Sequence, residues 1–288
     1  MKKLLIASTA LVATAGIAAA DVTVSGHAAA GFHSGLTNKS AEAAAVAAEG
    51  IYSNAGVDFT MSGATDNGIS FSASVNIDAG NEIDAGDFEY DGTDGGTAGL
   101  GAVSMTGSFG TLTFDNNGID NLYSDATNHD VSYSTTLGAV GLTLAYDATD
   151  AAANATSASA TYTAGGMAFT LNASEAAGGT STDLAVSYAL NDTVTITADT
   201  DSAAGGASVQ TIGASTTLNG VSVAVSSANN STWHVDLGYT AGGFALTYGV
   251  DETDAWTATA TSALGGGATF AAGVNSEDSM YAGVSFAF

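Results

Sequence analysis

Carboxylates are the side chains most able to do chemistry in this 288-residue chain, which has 29 Asp and Glu residues against three basic ones. Four of them lie in one of the longer connections of the chain, residues 115–130, and two others lie in the middle of alternating segments, on their polar face. Carboxylates without counter-charges that line an enclosed aqueous space attract cations and repel anions. The candidates for such a lining are Asp115, Asp120, Asp125, Asp130, Asp58 and Asp236. The alternative interpretation of the first four is a solvated surface loop.

A denser acidic stretch, residues 78–96, contains seven carboxylates. Asp87, Glu89 and Asp91 match the first, third and fifth positions of an EF-hand loop, but the twelfth position is Ala98 rather than Glu. Because the bidentate ligand is missing, we do not expect an EF-hand. Weak binding of a divalent cation such as Ca²⁺ by Asp87, Glu89 and Asp91 is one interpretation, and a solvated acidic loop is the other. No resident cofactor is predicted.

The sequence contains no recognisable catalytic arrangement. The four histidines are not spaced as metal ligands with a carboxylate, and both HExxH and GxSxG motifs are absent. After residue 20 the chain has a single lysine, Lys39, and no arginine, so it lacks the basic clusters that nucleic-acid binding requires. We therefore predict neither an enzyme nor a nucleic-acid-binding protein.

The segments that must position the carboxylates alternate large apolar residues with small or polar ones, from Val22 onward. Residues 69–77 and 244–250 are clear examples. This alternation is typical of strands with one apolar face and one wet face. The wet face carries Ser, Thr, Asn, Asp, Gly and Ala, which are too small and polar to pack a core. We therefore expect the apolar face to contact lipid and the wet face to contact water.

Short turns alternate with longer connections along the chain, and the two sets differ in charge. Asn219–Gly220 represents the short set, because Asn and Gly readily adopt the positive φ of hairpin turns. The longer set contains or borders on 24 of the 29 carboxylates. These connections are expected near residues 34–50, 78–99, 115–130, 147–155, 175–183, 199–206, 227–231, 251–255 and 275–279. Eight short turns and nine longer connections give eighteen strands, and two weak hairpins leave sixteen open. The pattern predicts an all-β fold, a transmembrane antiparallel up-and-down β-barrel of 16–18 strands with a water-filled lumen and one acidic rim.

Residues 1–20 have the form of a secretory signal peptide. Lys2 and Lys3 precede an apolar run, and small residues at 18–20 form a cleavage site. Cleavage leaves a barrel domain of residues 21–288 with one lysine and 29 carboxylates, a net charge of 1 − 29 = −28. We expect export through the periplasm to a Gram-negative outer membrane, with its lipid as a partner.

Two segments resemble a known family, FTMSGATDNGISFSASV at residues 59–75 and MTGSFGTLTF at residues 105–114. In these, in the opening DVTVSGHAAAGF and in a last strand that ends in Phe, the chain resembles Rhodobacter-type porins of Gram-negative outer membranes. The resemblance implies a homotrimer of sixteen-stranded barrels that passes small hydrophilic solutes. It also implies a third loop, here residues 115–130, that folds into the pore with its carboxylates facing arginines. Those arginines have no counterpart in this chain.

The residues and the resemblance together predict an outer-membrane porin, a passive, cation-preferring diffusion channel for small hydrophilic solutes. The alternative is a secreted or surface-attached β-rich adhesin or structural protein. In that alternative the apolar faces of the strands would pack against one another.

Overall fold

The computed structural model describes residues 21–38, 49–124, 128–149, 156–176 and 179–288. The predicted signal peptide and Asp125 therefore lie outside the described residues. Nineteen strands are described: β1 Asp21–Ser34, β2 Thr37–Asn38, β3 Glu49–Ala64, β4 Ser70–Asp84, β5 Glu89–Gly107, β6 Gly110–Asp120, β7 Asn128–Leu137, β8 Val140–Tyr146, β9 Thr156–Ala164, β10 Met167–Ala176, β11 Gly179–Ala189, β12 Val194–Ser202, β13 Val209–Leu218, β14 Val221–Ala228, β15 Trp233–Ala241, β16 Phe244–Asp251, β17 Trp256–Gly265, β18 Ala268–Asn275 and β19 Met280–Ala287. No helix in these ranges is long and apolar enough to cross a membrane.

All strands except β2 form one closed antiparallel barrel of eighteen strands. Each barrel strand pairs with its neighbour in chain order, and β19 returns to β1 in a register that runs from His27↔Ala287 to Ser34↔Met280. Closure satisfies the backbone hydrogen bonds of the first and last strands, which would otherwise be exposed edges. The count of eighteen read from the turns is confirmed, and the sixteen implied by the family resemblance is not found. The short strand β2 pairs in parallel with β5.

The two faces of the barrel wall differ as the alternation predicts. Phe32, Ile51 and Leu100 are 71%, 65% and 74% exposed, and many other large apolar side chains share their face. Among the described residues, the buried hydrophobic side chains are only five: Tyr52, Phe88, Tyr90, Ala145 and Tyr281. The apolar stripes therefore do not pack against one another but form the outer surface of the barrel. This arrangement does not favour the adhesin alternative.

The short turns lie at one end of the barrel. Between β13 and β14 the turn consists of Asn219 and Gly220, with φ of 53° and 84°. Positive φ at both central residues is the geometry that matches the twist of the flanking strands, and it explains the choice of Asn and Gly.

The second long connection is shorter than the sequence suggests. Residues 78–99 are predicted as an acidic loop, but β4 continues to Asp84 and β5 begins at Glu89, so only residues 85–88 connect them. The Asp84 carboxylate accepts the Gly86 N–H at 2.9 Å, which closes this turn. Polar and acidic residues can continue a hairpin where both of its faces meet water, so their composition alone did not reveal the strands.

The tip of this hairpin packs against the junction of β1 and β19. Phe88, with φ of 58°, is 3% exposed and its ring lies 5.3 Å from that of Tyr281. Tyr90 is also buried and lies 5.7 Å from the ring of His33. Tyr281 and His33 alternate with outward-facing apolar residues, so they belong to the inner face. We call Phe88, Tyr90, Tyr281, His33 and Tyr52 the seam cluster.

Two glycines leave room for Tyr52 of the seam cluster at the junction of β1 and β19. A Cβ atom on Gly31 would lie 2.6 Å from the Tyr52 hydroxyl oxygen, and one on Gly283 would overlap the same atom. A side chain at either position would collide with the tyrosine and also with the facing backbone, at Ala282 O for Gly31 and at Ala30 O for Gly283. The inner surface of the closing strands is therefore a fitted contact between ring and bare backbone.

Candidate functional site

The inner wall near the short turns is lined by hydroxyl groups. Serine and threonine side chains on adjacent strands hydrogen-bond to each other across the wall at 2.6–2.9 Å. The pairs are Ser72–Ser104, Thr106–Thr111 and Thr247–Thr259. Such a surface offers water both donors and acceptors but carries no net charge.

Carboxylates are concentrated toward the other end. Of the 26 carboxylates in the described ranges, three lie at the short-turn end (Asp21, Asp66, Asp192) and two at intermediate depth (Asp58, Asp236). The remaining 26 − 3 − 2 = 21 lie in the longer connections or in the strand portions that lead to them. The described residues include neither Lys nor Arg. The acidic rim predicted from the sequence is thus present, and much of its charge is on strands rather than on loops.

The candidate carboxylates of the third connection occupy different environments. Asp115 and Asp130 meet at a bulge, where residues 115–118 of β6 lie opposite Asp130 of β7. Asp130 is 8% exposed, and its two oxygens accept the N–H groups of Asn117 and Ala148, both at 2.8 Å. Asp120 is exposed at the end of β6. Asp130 is therefore more than a carboxylate at the acidic end, because it also holds the backbone of the bulge in place.

Residues Asn121–Ser124, which we call the lumen segment, leave β6 and cross the inner wall. The Asn121 amide donates to Ser174 Oγ on β10 at 2.9 Å, and the Leu122 N–H donates to Ser157 Oγ on β9 at 3.1 Å. These partners alternate with outward-facing apolar residues, so the contacts lie inside the barrel. The segment therefore narrows the passage at the acidic end.

Tyr123 carries the contact furthest from β6, because its hydroxyl donates to Asp201 of β12 at 2.6 Å. This hydrogen bond, together with burial, raises the pKa of the Tyr123 phenol above its ordinary value. The tyrosine is therefore a neutral donor at any physiological pH. It holds the lumen segment against the Asp201 carboxylate.

Sequence reasoning missed a group of wall carboxylates beside this contact. Asp183 and Asp201 are directly opposite each other on β11 and β12, and Asp199 lies two residues from Asp201 on the same face. Asp183 accepts a hydrogen bond from the Asn172 amide at 3.2 Å. Their acidic surroundings predict loops, although the alternation of Thr195, Thr197, Asp199 and Asp201 indicates one face of a strand.

The two intermediate-depth candidates are each accompanied by a histidine. Asp58 of β3 lies 3.7 Å from His27, and Asp236 of β15 lies 2.9 Å from His234. Both carboxylates remain substantially exposed. Sequence reasoning placed these aspartates on the wet face but did not connect them to the histidines.

The candidates for divalent-cation binding are spread over the hairpin tip. Asp87 is in the connection between β4 and β5, whereas Glu89 and Asp91 belong to β5. Across the described ranges, no group of three or more His, Cys, Asp or Glu side chains is arranged to hold a metal ion.

A family profile described as Gram-negative porin matches residues 7–288. The chain belongs to this porin family. Its fold agrees, because an eighteen-stranded transmembrane barrel is an outer-membrane architecture. Family and fold together make this protein an outer-membrane porin, and porins are known as channels rather than enzymes.

Solved porin structures share the fold at low sequence identity. A variant of the porin from Rh. blastica with three substitutions is 14% identical, with a TM-score of 0.55 over 93% of this chain and 100% of its own. A triple mutant of Rhodopseudomonas blastica porin is 16% identical, with a TM-score of 0.54 over the same shares. Comparison with curated protein sequences finds no match.

Proposed function

We propose that this porin is a passive diffusion channel for small hydrophilic solutes that prefers cations. The observation that supports this most is the charge of the acidic rim: 21 described carboxylates lie at one end of the barrel, with neither Lys nor Arg in the described ranges. Fixed charges between low-dielectric walls focus their field along the passage, raising the local concentration of counter-ions.

The proposed mechanism is aqueous permeation, with no bond made or broken. The hydroxyl-lined half supplies a wet, uncharged wall along which hydrated solutes move. At the acidic end the lumen segment limits the width, and carboxylates beside it, including Asp199 and Asp201, bias the charge of what passes. Asp58 and Asp236 extend the negative potential toward the middle, with the described third-connection candidates Asp115, Asp120 and Asp130 at the mouth.

The reversal potential in a KCl gradient across a planar bilayer tests the cation preference. We expect the sign that indicates K⁺ over Cl⁻, and a smaller value at high salt because the Debye length falls from about 10 Å at 0.1 M to about 3 Å at 1 M. Asp201→Asn should reduce the preference. Asp192→Asn is the matched control, because Asp192 lies in a short turn at the opposite end. Anion preference of the unmodified protein would refute the proposal.

Assembly and processing complete the proposal. We propose a homotrimer in the outer membrane and a mature chain that begins at Asp21. Chemical cross-linking in detergent should yield a trimer, and N-terminal sequencing of protein from the outer membrane should start with DVTVSG. A monomer after cross-linking, or retention of residues 1–20, would contradict the corresponding part.

Loose binding of Ca²⁺ by Asp87, Glu89 and Asp91 is a separate, minor proposal. Isothermal titration of the detergent-solubilised protein should then show weak Ca²⁺ binding that decreases in Asp87→Asn/Asp91→Asn. Equal binding by this variant would show that these residues are not the ligands.

A further inference from the structure

Histidines are the only side chains in the described ranges that can become cationic near neutral pH. Two of the four lie on the inner wall in direct contact with carboxylates. We propose that His27 and His234 are selectivity-determining residues, whose protonation lowers the cation preference of the channel as the pH falls. This inference rests on the proposed cation-preferring function and adds the residues that regulate it.

The first site joins three neighbouring strands. On β1, His27 Nε2 lies 3.3 Å from Asp78 Oδ1 of β4, and His27 Nδ1 lies 3.7 Å from Asp58 Oδ2 of β3. The imidazole reaches β4 because the intervening β3 residue is Gly56, where a Cβ would overlap both the ring and the Asp78 carboxylate. Asn76 donates to the other Asp78 oxygen at 2.7 Å, which holds the carboxylate in place.

The second site lies on β15 and β16. His234 Nε2 lies 2.9 Å from Asp236 Oδ1, and His234 is directly opposite Asp251 in the strand register. The β16 residue opposite Asp236 is a glycine: a Cβ on Gly249 would lie 3.0 Å from Asp236 Oδ1 and 3.4 Å from His234 Nε2. Each site therefore consists of one imidazole, two carboxylates and a glycine that gives them room.

The other strands beside the two histidines, β19 and β14, present no charged side chain at these positions, and Glu252, which accepts the Trp233 N–H at 3.1 Å, lies in the connection after Asp251. Opposite His27, β19 presents Ala287, followed by Phe288, whose main-chain oxygen accepts the Gly26 N–H at 2.6 Å. Opposite His234, β14 presents Ser226. Each site thus has two carboxylates when its histidine is neutral, giving a charge of −2, and −1 when the histidine is protonated.

Both imidazoles remain in contact with water, with side-chain exposures of 43% for His27 and 48% for His234. A change in their charge therefore alters the electrostatic potential that ions in the lumen experience, which the same change in a buried ion pair would affect much less. A unit charge about 10 Å from an ion in water changes the local concentration of that ion about twofold. Because cations and anions respond in opposite directions, each protonation should lower the cation-to-anion permeability ratio up to about fourfold.

The pH dependence of the reversal potential tests the inference. Between about pH 8 and pH 5.5 imidazoles change charge, whereas ordinary carboxylates, with pKa values near 4, remain ionised. We expect the cation preference of the unmodified porin to fall across this range. In His27→Gln/His234→Gln the fall should be smaller than in the unmodified porin, because the amide supplies a donor that cannot become charged. Any fall that remains belongs to the closely spaced wall carboxylates Asp183, Asp199 and Asp201.

His33→Gln is the matched control. His33 lies on the same strand and face as His27 but is 6% exposed within the seam cluster. This variant should keep the full pH response, and its loss there would assign the response to a different group. Each single variant of His27 or His234 should remove part of the response, which keeps the test open if the double variant does not insert.

The possible failures are distinguishable. A double variant that responds to pH as the unmodified porin does, or an unmodified porin with no response above about pH 5.5, would overturn this inference while leaving cation preference intact. Anion preference of the unmodified porin at about pH 8, where imidazoles are neutral, would instead refute the proposed function and this inference with it.

Discussion

Replacing Asn121 by alanine should loosen the lumen segment without opening the barrel. Asn121 is 3% exposed, its amide donates to Ser174 Oγ at 2.9 Å, and its Oδ1 accepts the Tyr123 N–H at 2.9 Å. A hydrogen bond contributes about 1 kcal/mol net, and a buried group left without its partner costs about 1–3 kcal/mol. A loss of about 2 kcal/mol raises the detached population about thirtyfold.

Single-channel recording at fixed voltage measures this change. We expect Asn121→Ala to show larger current fluctuations and a higher mean conductance, because the segment leaves the wall more often. Asn191→Ala is the matched control: Asn191 Oδ1 accepts the N–H groups of Thr193 and Val194, both at 2.9 Å, but in a short turn at the opposite end. If Asn121→Ala were as quiet as the control, the amide would not be what holds the segment in the lumen.

Three further predictions concern the seam cluster and the lumen segment. Phe88→Ala should destabilise the barrel by about 3–5 kcal/mol and lower the temperature at which its mobility in gel electrophoresis changes on heating. Phe109→Ala should not, because the Phe109 side chain is 43% exposed in a short turn. Equal effects of the two variants would contradict a specific role for the seam cluster. Gly283→Ala should lower the same temperature, because the new methyl group overlaps the tyrosine hydroxyl of the cluster, and Gly95→Ala, whose nearest neighbour would be 3.9 Å away, should be neutral. The pKa of Tyr123 is raised in the folded protein, so its hydrogen bond to Asp201 stabilises the lumen segment fully below about pH 10, the ordinary value of a tyrosine, and is lost as the pH rises through the folded value. Single-channel currents should therefore become noisy only in alkali. Noise that begins near neutral pH would argue against this contact.

The number of strands was predictable because it depends on local patterns. Alternation fixes which residues face lipid, and turns such as Asn219–Gly220 place the hairpins without knowledge of distant contacts. The same locality explains the errors. Acidic composition predicts loops, but strand pairing tolerates Asp wherever both faces meet water, as in the extended hairpin of β4 and β5.

The candidate site was only partly predictable, since its contacts join residues far apart in the chain. Position in the sequence identified the third connection, yet the partner that holds Tyr123, Asp201, is 78 residues away. The role of Asp130 depends on backbone N–H groups from two different segments. His27 and Asp78 can meet because Gly56, on the strand between them, has no side chain. The sequence does not reveal this until the register of the three strands is known.

The seam between β1 and β19 has a consequence for how the chain reaches its final shape. It joins His27 to Ala287, which are 287 − 27 = 260 positions apart, whereas every other ladder of the cylinder joins neighbours in chain order. Contacts between such distant residues form slowly, because the loop entropy must be lost before any pairing is gained. We therefore expect the hairpins to assemble in succession, with the pairing of β1 and β19, which closes the barrel, as the last and slowest step. Until then the unpaired edges of β1 and β19 can pair with other incompletely folded chains. The rate at which these two strands pair therefore decides between insertion and aggregation.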